Sequence, residues 1–179
     1  VGLGWQEEEY EASGIPFDQR VKTFWETLDI CQSLWTGGPV SHKGEIFEFN
    51  DIWCHPTPPQ GSDIPLLFGV KMTEFNAQKI AKIGHGWIPI KTSRDFISEG
   101  SEKLNHAFKE AGRDDKPRIR GQLPTCVDSN GVPSVELTLK ELEKSMEAGL
   151  EEIEVFPINF AQSPDHLREV LELIGELKK

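Results

Sequence analysis

The sequence predicts an α/β fold built on parallel strands. Three observations lead there. Five short apolar runs recur along the 179 residues, each is followed by a stretch whose apolar residues recur at helical spacing, and glycine or proline marks most boundaries. Strands that alternate with helices pair in parallel through right-handed crossovers. No internal sequence repeat is visible, which argues against a solenoid.

The first run, VGLGW (1–5), is apolar and glycine-rich. The helical stretch RVKTFWETLDICQSLW (20–35) follows it. There Val21, Phe24, Trp25, Leu28, Cys31, Leu34 and Trp35 recur at spacings of three and four and make one apolar face. TGGPV (36–40) breaks that helix. Residues 36–63 form a long excursion rich in Gly, Pro, His and aromatics, with GEIFEFNDI as a candidate hairpin arm. IPLLFGV (64–70) is the second strand. TEFNAQKIAKIG (73–84) is a helix that Thr73 caps and Gly84 ends.

GWIPI (86–90) is the third strand, unusual in opening on a tryptophan and containing a proline. The helix SRDFISEGSEKLNHAFKEAG (93–112) leads to the fourth strand, RIRGQLPTCV (118–127). The helix SVELTLKELEKSMEAG (134–149) leads to the fifth, EEIEVFPI (151–158). The last helix, SPDHLREVLELIGELKK (163–179), has Ser163 as cap and Pro164 at its first position. Two architectures fit this rhythm. An open doubly wound sheet calls for G-x-G-x-x-G after the first strand, and GLGWQE has Glu7 in the third glycine's place. A (β/α)8 barrel calls for eight strands, where five are read here. Periodicity leaves both open.

Composition narrows the function. The net charge of −11 opposes nucleic-acid binding, which needs clustered Lys and Arg. No run of about 20 apolar residues can span a membrane. The acidic start lacks the basic opening of a signal peptide, so a cytoplasmic location is expected. The chain begins at Val1, and a trimmed or cut chain is the expectation. Cys31, Cys54 and Cys126 are widely spaced with no CxxC pair, so neither a zinc site nor a disulfide framework is indicated.

Among single residues, Gly2 and Gly4 would let a flat ring approach the backbone, and Trp5 would wall its pocket. The alternative is a tight turn with a core tryptophan. Glu7, Glu8 and Glu9 suit the start of a helix. His42 and His55 lack a second ligand at metal spacing and read as surface histidines. No Ser-His-Asp or Cys-His constellation is readable, and no catalytic residue is assigned.

Several segments, in order and spacing, resemble the luciferase-like monooxygenase superfamily, in particular its deazaflavin (F420)-dependent oxidoreductase branch. They are GLGWQEEEYEASGIPFDQR (2–20), LWTGGPVSHKGEIFEF (34–49), HPTPPQGSDIPLLFG (55–69), TEFNAQKIAKIGHGWIPI (73–90) and AGR (111–113). The resemblance implies a TIM-type (β/α)8 barrel in which the five units are strands four to eight and 1–179 is one partial barrel domain. GWIPI would be the sixth strand, with Trp87 packing inside the barrel and Ile90 to Ser93 at the active-site mouth.

The resemblance also implies F420, or alternatively FMN, and a small organic substrate undergoing hydride transfer or oxidation by O2. Gly4 and Trp5 would flank the cofactor ring. Gly69, Val70, Lys71, Thr73 and Lys79 would hold its phosphate at the start of the helix from Thr73. The sequence departs from the family pattern in three places. Val70-Lys71 stands where paired glycines are usual, His85 stands for an aspartate and Lys79 for an arginine. Val70 and Lys71 are expected to hold a conformation easier for glycine, giving a weaker phosphate site. Two alternatives remain: a non-catalytic partial barrel, and an unrelated phosphate-binding barrel using DSNG (128–131). Open edges at the outer strands predict self-association as a homo-oligomer.

Overall fold

A computed structural model describes all residues except Leu123, Gln162 and 177–179, together with the side chain of Glu176. The chain divides into two compact units, Val1–Pro65 and Leu66–Lys179.

The first unit holds α1 (Glu7–Ala12), α2 (Arg20–Leu34), β1 (Val40–Lys43) and β2 (Glu48–Ile52). Residues 1–5 do not form the strand expected of them. Only Gly2 joins a bridge, because Gly4 turns the chain at φ 76° and ends any extended run. The Tyr10 hydroxyl donates to the Leu3 carbonyl and fixes that turn. α2 buries Trp25, Leu28 and Ile30, while Val21, Phe24, Cys31, Leu34 and Trp35 are half-buried.

β1 and β2 pair antiparallel, with His42 opposite Phe49 and Lys43 opposite Glu48. Glu26 of α2 secures the turn between them. Its carboxylate accepts from the backbone amides of Glu45, Ile46 and Phe47 at 2.8–3.2 Å, and His42 Nε2 lies 3.0 Å from Oε1. Gly44 permits this approach, since a Cβ there would fall 2.0 Å from Glu26 Oε1.

The second unit holds β3 (Leu67–Phe68), α3 (Glu74–Ile83), β4 (Gly86–Trp87), α4 (Arg94–Glu110), β5 (Arg118–Gln122), α5 (Val135–Glu147), β6 (Glu152–Glu154) and α6 (Pro164–Glu176). The strands form one parallel sheet in the order β3-β4-β5-β6. They are shorter than the apolar runs that announce them. β4 ends at Trp87, two residues before Pro89, which lacks an amide to donate to a ladder. β6 stops at Glu154, before the 3-10 turn at Pro157–Asn159.

Register places Phe68 beside Trp87 and Trp87 beside Ile119. These three are buried on the helix side of the sheet. A Cβ on Gly84 would lie 2.5 Å from the Phe68 ring, and one on Gly100 of α4 would lie 2.2 Å from the Trp87 ring. Gly84 therefore ends α3 in an extended conformation, and close packing rather than a left-handed cap explains it. Trp87 packs toward α4, not into a barrel interior as expected, because alternation along β4 and β5 sends it to the same side as Ile119. Burying such side chains contributes about 1.5–3 kcal/mol each. The alternate positions of β5, Arg118, Arg120 and Gln122, occupy the other face. There Arg118 and Arg120 both bind Glu152 of β6, the latter with Nη2 at 2.6 Å.

Two helix caps follow the expected residues: Thr73 Oγ1 accepts from the Asn76 amide at 3.2 Å and Ser163 Oγ from His166 at 3.1 Å. Ser134 Oγ caps α5 in the same way, accepting from Leu137 at 3.3 Å. No helix among the described residues is long and apolar enough to cross a membrane.

Candidate functional site at the carboxyl ends of the parallel strands

In a parallel sheet, the loops leaving the carboxyl ends of the strands are where ligands bind. In the second unit those loops follow Phe68, Trp87, Gln122 and Glu154. Between them lies a cleft of about 420 Å³. One wall comes from Gly69 and the segment 88–92, the other from Gln122, Pro124, Thr125 and Glu154. The 88–92 wall is held from behind by Ser145, fully buried on α5, whose hydroxyl donates to the Thr92 carbonyl at 2.6 Å.

The turn after β3 is fixed by three hydrogen bonds. Trp87 Nε1–H donates to the Val70 carbonyl at 2.9 Å, Asn76 Nδ2 donates to the Lys71 carbonyl at 2.9 Å, and the Thr73 amide donates to the same carbonyl at 3.0 Å. Val70 and Met72 are buried beneath it, while Lys71 is exposed. The expected strain at Val70 and Lys71 is absent. Among the described residues, the non-glycine with positive φ is Asp51, so branched Val70 sits here without a left-handed backbone.

Thr73 Oγ1 accepts from Asn76 with one lone pair, and no hydrogen bond donated by its O–H occurs among the described residues. The amides of Glu74 and Phe75, at the first turn of α3, have no partner within the helix. Lys79 leans toward this end, its ammonium 6.0 Å above the Phe75 ring. Glu74 places a carboxylate in the same turn and opposes an anion there. Gly4 and Trp5 belong to the other unit, where Trp5 is 80% exposed and thus not a core residue of that unit.

His85 lies before β4, at the opposite end of the sheet. Its Nδ1 accepts from the Leu66 amide at 3.2 Å, as a carboxylate oxygen would at that turn. Arg113 donates to the Gly84 carbonyl at 2.6 Å and stacks on Phe108 at 4.0 Å. Arg113 also pairs with Asp115 and holds its carboxyl below the usual range. Contacts at this amino-terminal end serve stability rather than binding. Sequence reading put the segment Ile90 to Ser93, and with it Lys91, at the mouth, but missed Gln122 and Glu154. Their convergence depends on strand register, which no local spacing reveals. Among the described residues no cluster of three or more metal-ligating side chains occurs.

Comparison with known proteins gives the family and the fold. The family described as luciferase-like monooxygenase matches residues 1–139, and the chain belongs to that family. An uncharacterized protein of Mycobacterium tuberculosis is 37% identical over 120 residues, covering 66% of this chain and 42% of the relative. The pyrimidine monooxygenase RutA of Allorhizobium ampelinum is 27% identical over 128 residues, covering 62% of this chain and 32% of that protein. The chain thus spans well under half the length of these relatives.

Two solved structures share the fold. One is an F420-dependent secondary alcohol dehydrogenase in complex with an F420–acetone adduct, with TM-score 0.71, 18% identity, and coverage of 87% of this chain and 62% of that one. The other is the coenzyme F420-dependent tetrahydromethanopterin reductase of Methanopyrus kandleri, with TM-score 0.68, 14% identity, and coverage of 94% and 70%.

Proposed function

We propose that the chain forms the later β-α units of a (β/α)8 barrel and carries cofactor-binding elements of an F420-dependent oxidoreductase, with FMN as the alternative cofactor. Family membership supports the oxidoreductase class. The observation that carries the reading is the turn from Gly69 to Thr73. It lies at the carboxyl end of a parallel strand, is locked by Trp87 and Asn76, and opens onto the uncapped amides of Glu74 and Phe75.

A phosphate fits these groups. The first-turn amides and the positive end of the α3 dipole face it, and the Thr73 hydroxyl adds a donor. Lys71 and Lys79 supply charge against the opposing Glu74. When bound, the cofactor supplies the hydride or oxygen chemistry that no side chain here provides. The residues of this chain bind and orient. Trp87 holds the turn in place and the segment 88–92 walls the cleft, and Gly4 and Trp5 of the other unit are the candidates for contact with the ring system. A homo-oligomer would cover the open edges at β3 and β6.

The test is the absorption spectrum and native mass of the purified full-length protein, alone and after addition of F420 or FMN. Retention of either cofactor through gel filtration is expected. A protein that binds neither contradicts the reading.

A further inference from the structure

The cleft contains charge that the fold itself does not use. Lys91 lies on the 88–92 wall and Gln122 on the β5 wall. Among the described residues, neither side chain has an ion-pair or hydrogen-bond partner. This contrasts with the rest of the sheet. On the same β5 face, Arg118 and Arg120 are both committed to Glu152. Glu154, also in the cleft, has Arg120 Nη1 at 4.0 Å as its nearest cation and makes no pair with Lys91.

We infer that Lys91 and Gln122 form an oxyanion subsite in this cleft, for a carboxylate or phosphate on a small-molecule ligand. An ammonium and a carboxamide N–H on opposing walls are the donors such a group needs. Ile88 and the buried Pro89 line the same wall, while Lys91, Gln122 and Ile90 are exposed and open to an incoming ligand. Glu154 tempers the site by like-charge repulsion. The inference rests on the reading above: the turn from Gly69 to Thr73 takes the cofactor's phosphate, so the anion here is an acid group of the substrate. Lys91 would then be a specificity-determining residue.

Titration calorimetry of the full-length protein with inorganic phosphate tests this. Saturable binding is expected, weakened about tenfold by Lys91→Met, the value of one charge-assisted contact. Glu154→Gln should strengthen it by about threefold. If Lys91→Met does not fold, Glu154→Gln decides, and unchanged affinity overturns the subsite. Absence of saturable binding, or a folded Lys91→Met that binds as well as wild type, also overturns it. Repeating the titration with F420 present separates the sources. Phosphate binding through Lys91 that F420 does not diminish is expected, and competition would give the subsite to the cofactor and overturn the substrate assignment. A protein that binds phosphate through Lys91 but neither F420 nor FMN keeps the subsite and refutes the proposed cofactor.

Discussion

Trp87 donates its indole N–H to the carbonyl of Val70 at 2.9 Å, joining the end of β4 to the turn that follows β3. Both residues are buried, so no water replaces this bond when it is lost. Trp87→Phe should destabilise the full-length protein by about 1–3 kcal/mol, through an orphaned carbonyl and lost volume. Urea midpoints measure the stability loss. Cofactor affinity should fall as well, because the turn from Gly69 to Thr73 loses its anchor. A variant that loses stability and keeps full affinity would show that the turn does not hold the phosphate.

Glu26 gives a pH-dependent prediction. Three backbone amides of the hairpin turn, that of Phe47 foremost, and His42 hold its carboxyl below the usual range. A depressed folded pKa contributes stability that is complete above the unfolded glutamate value of about 4.3 and lost as pH falls through the folded value. The hairpin β1–β2 should therefore stay attached to α2 at neutral pH and loosen in acid. NMR shifts of the Glu45, Ile46 and Phe47 amides should titrate with a midpoint below that of an ordinary glutamate. A midpoint at the ordinary value, or amide shifts unaffected by Glu26→Gln, would contradict the arrangement.

Much of the second unit is legible in the sequence. Apolar spacing and capping residues locate α3 to α6, and short apolar runs locate the strands that join them. The boundaries at Thr73, Ser134 and Ser163 are readable because a hydroxyl capping a helix acts within three residues. The run VGLGW misleads because apolar composition cannot report that Gly4 turns the chain. The Glu26 contacts were invisible, since their partners lie 19 to 21 residues away. Trp87 is obvious as a buried residue, but which side of the sheet it takes depends on register with Ile119.

Ser101 offers a test of packing. Its hydroxyl is buried on α4 and has no hydrogen-bond partner among the described residues. Gly149, after α5, sits against it, with a virtual Cβ 3.3 Å from Ser101 Oγ. Ser101→Ala removes an unsatisfied polar group and should be neutral or stabilising by about 1 kcal/mol in chemical denaturation. A loss of stability would mean that the hydroxyl has a partner in solution.

Trp5 is a candidate ring contact because a large aromatic this exposed serves no packing role within its own unit. An aromatic wall contributes about 0.5–1.5 kcal/mol beyond its area. Trp5→Ala in the full-length protein should weaken F420 or FMN binding several-fold and leave the melting temperature nearly unchanged. The opposite pattern, lower melting temperature with intact affinity, would make Trp5 a structural residue of the complete protein.

The central claim is that the turn from Gly69 to Thr73 and the start of α3 hold the cofactor's phosphate. The most direct measurement is the affinity of full-length Thr73→Ala and Lys71→Ala variants for F420 and FMN, read with a crystal structure of the complex. The account predicts weaker binding in both variants, by about tenfold where a charge-assisted contact is lost, and phosphate oxygens in contact with residues 69–76. Intact affinity in both variants, with the phosphate held elsewhere, would reduce Thr73 to a helix cap and contradict the account.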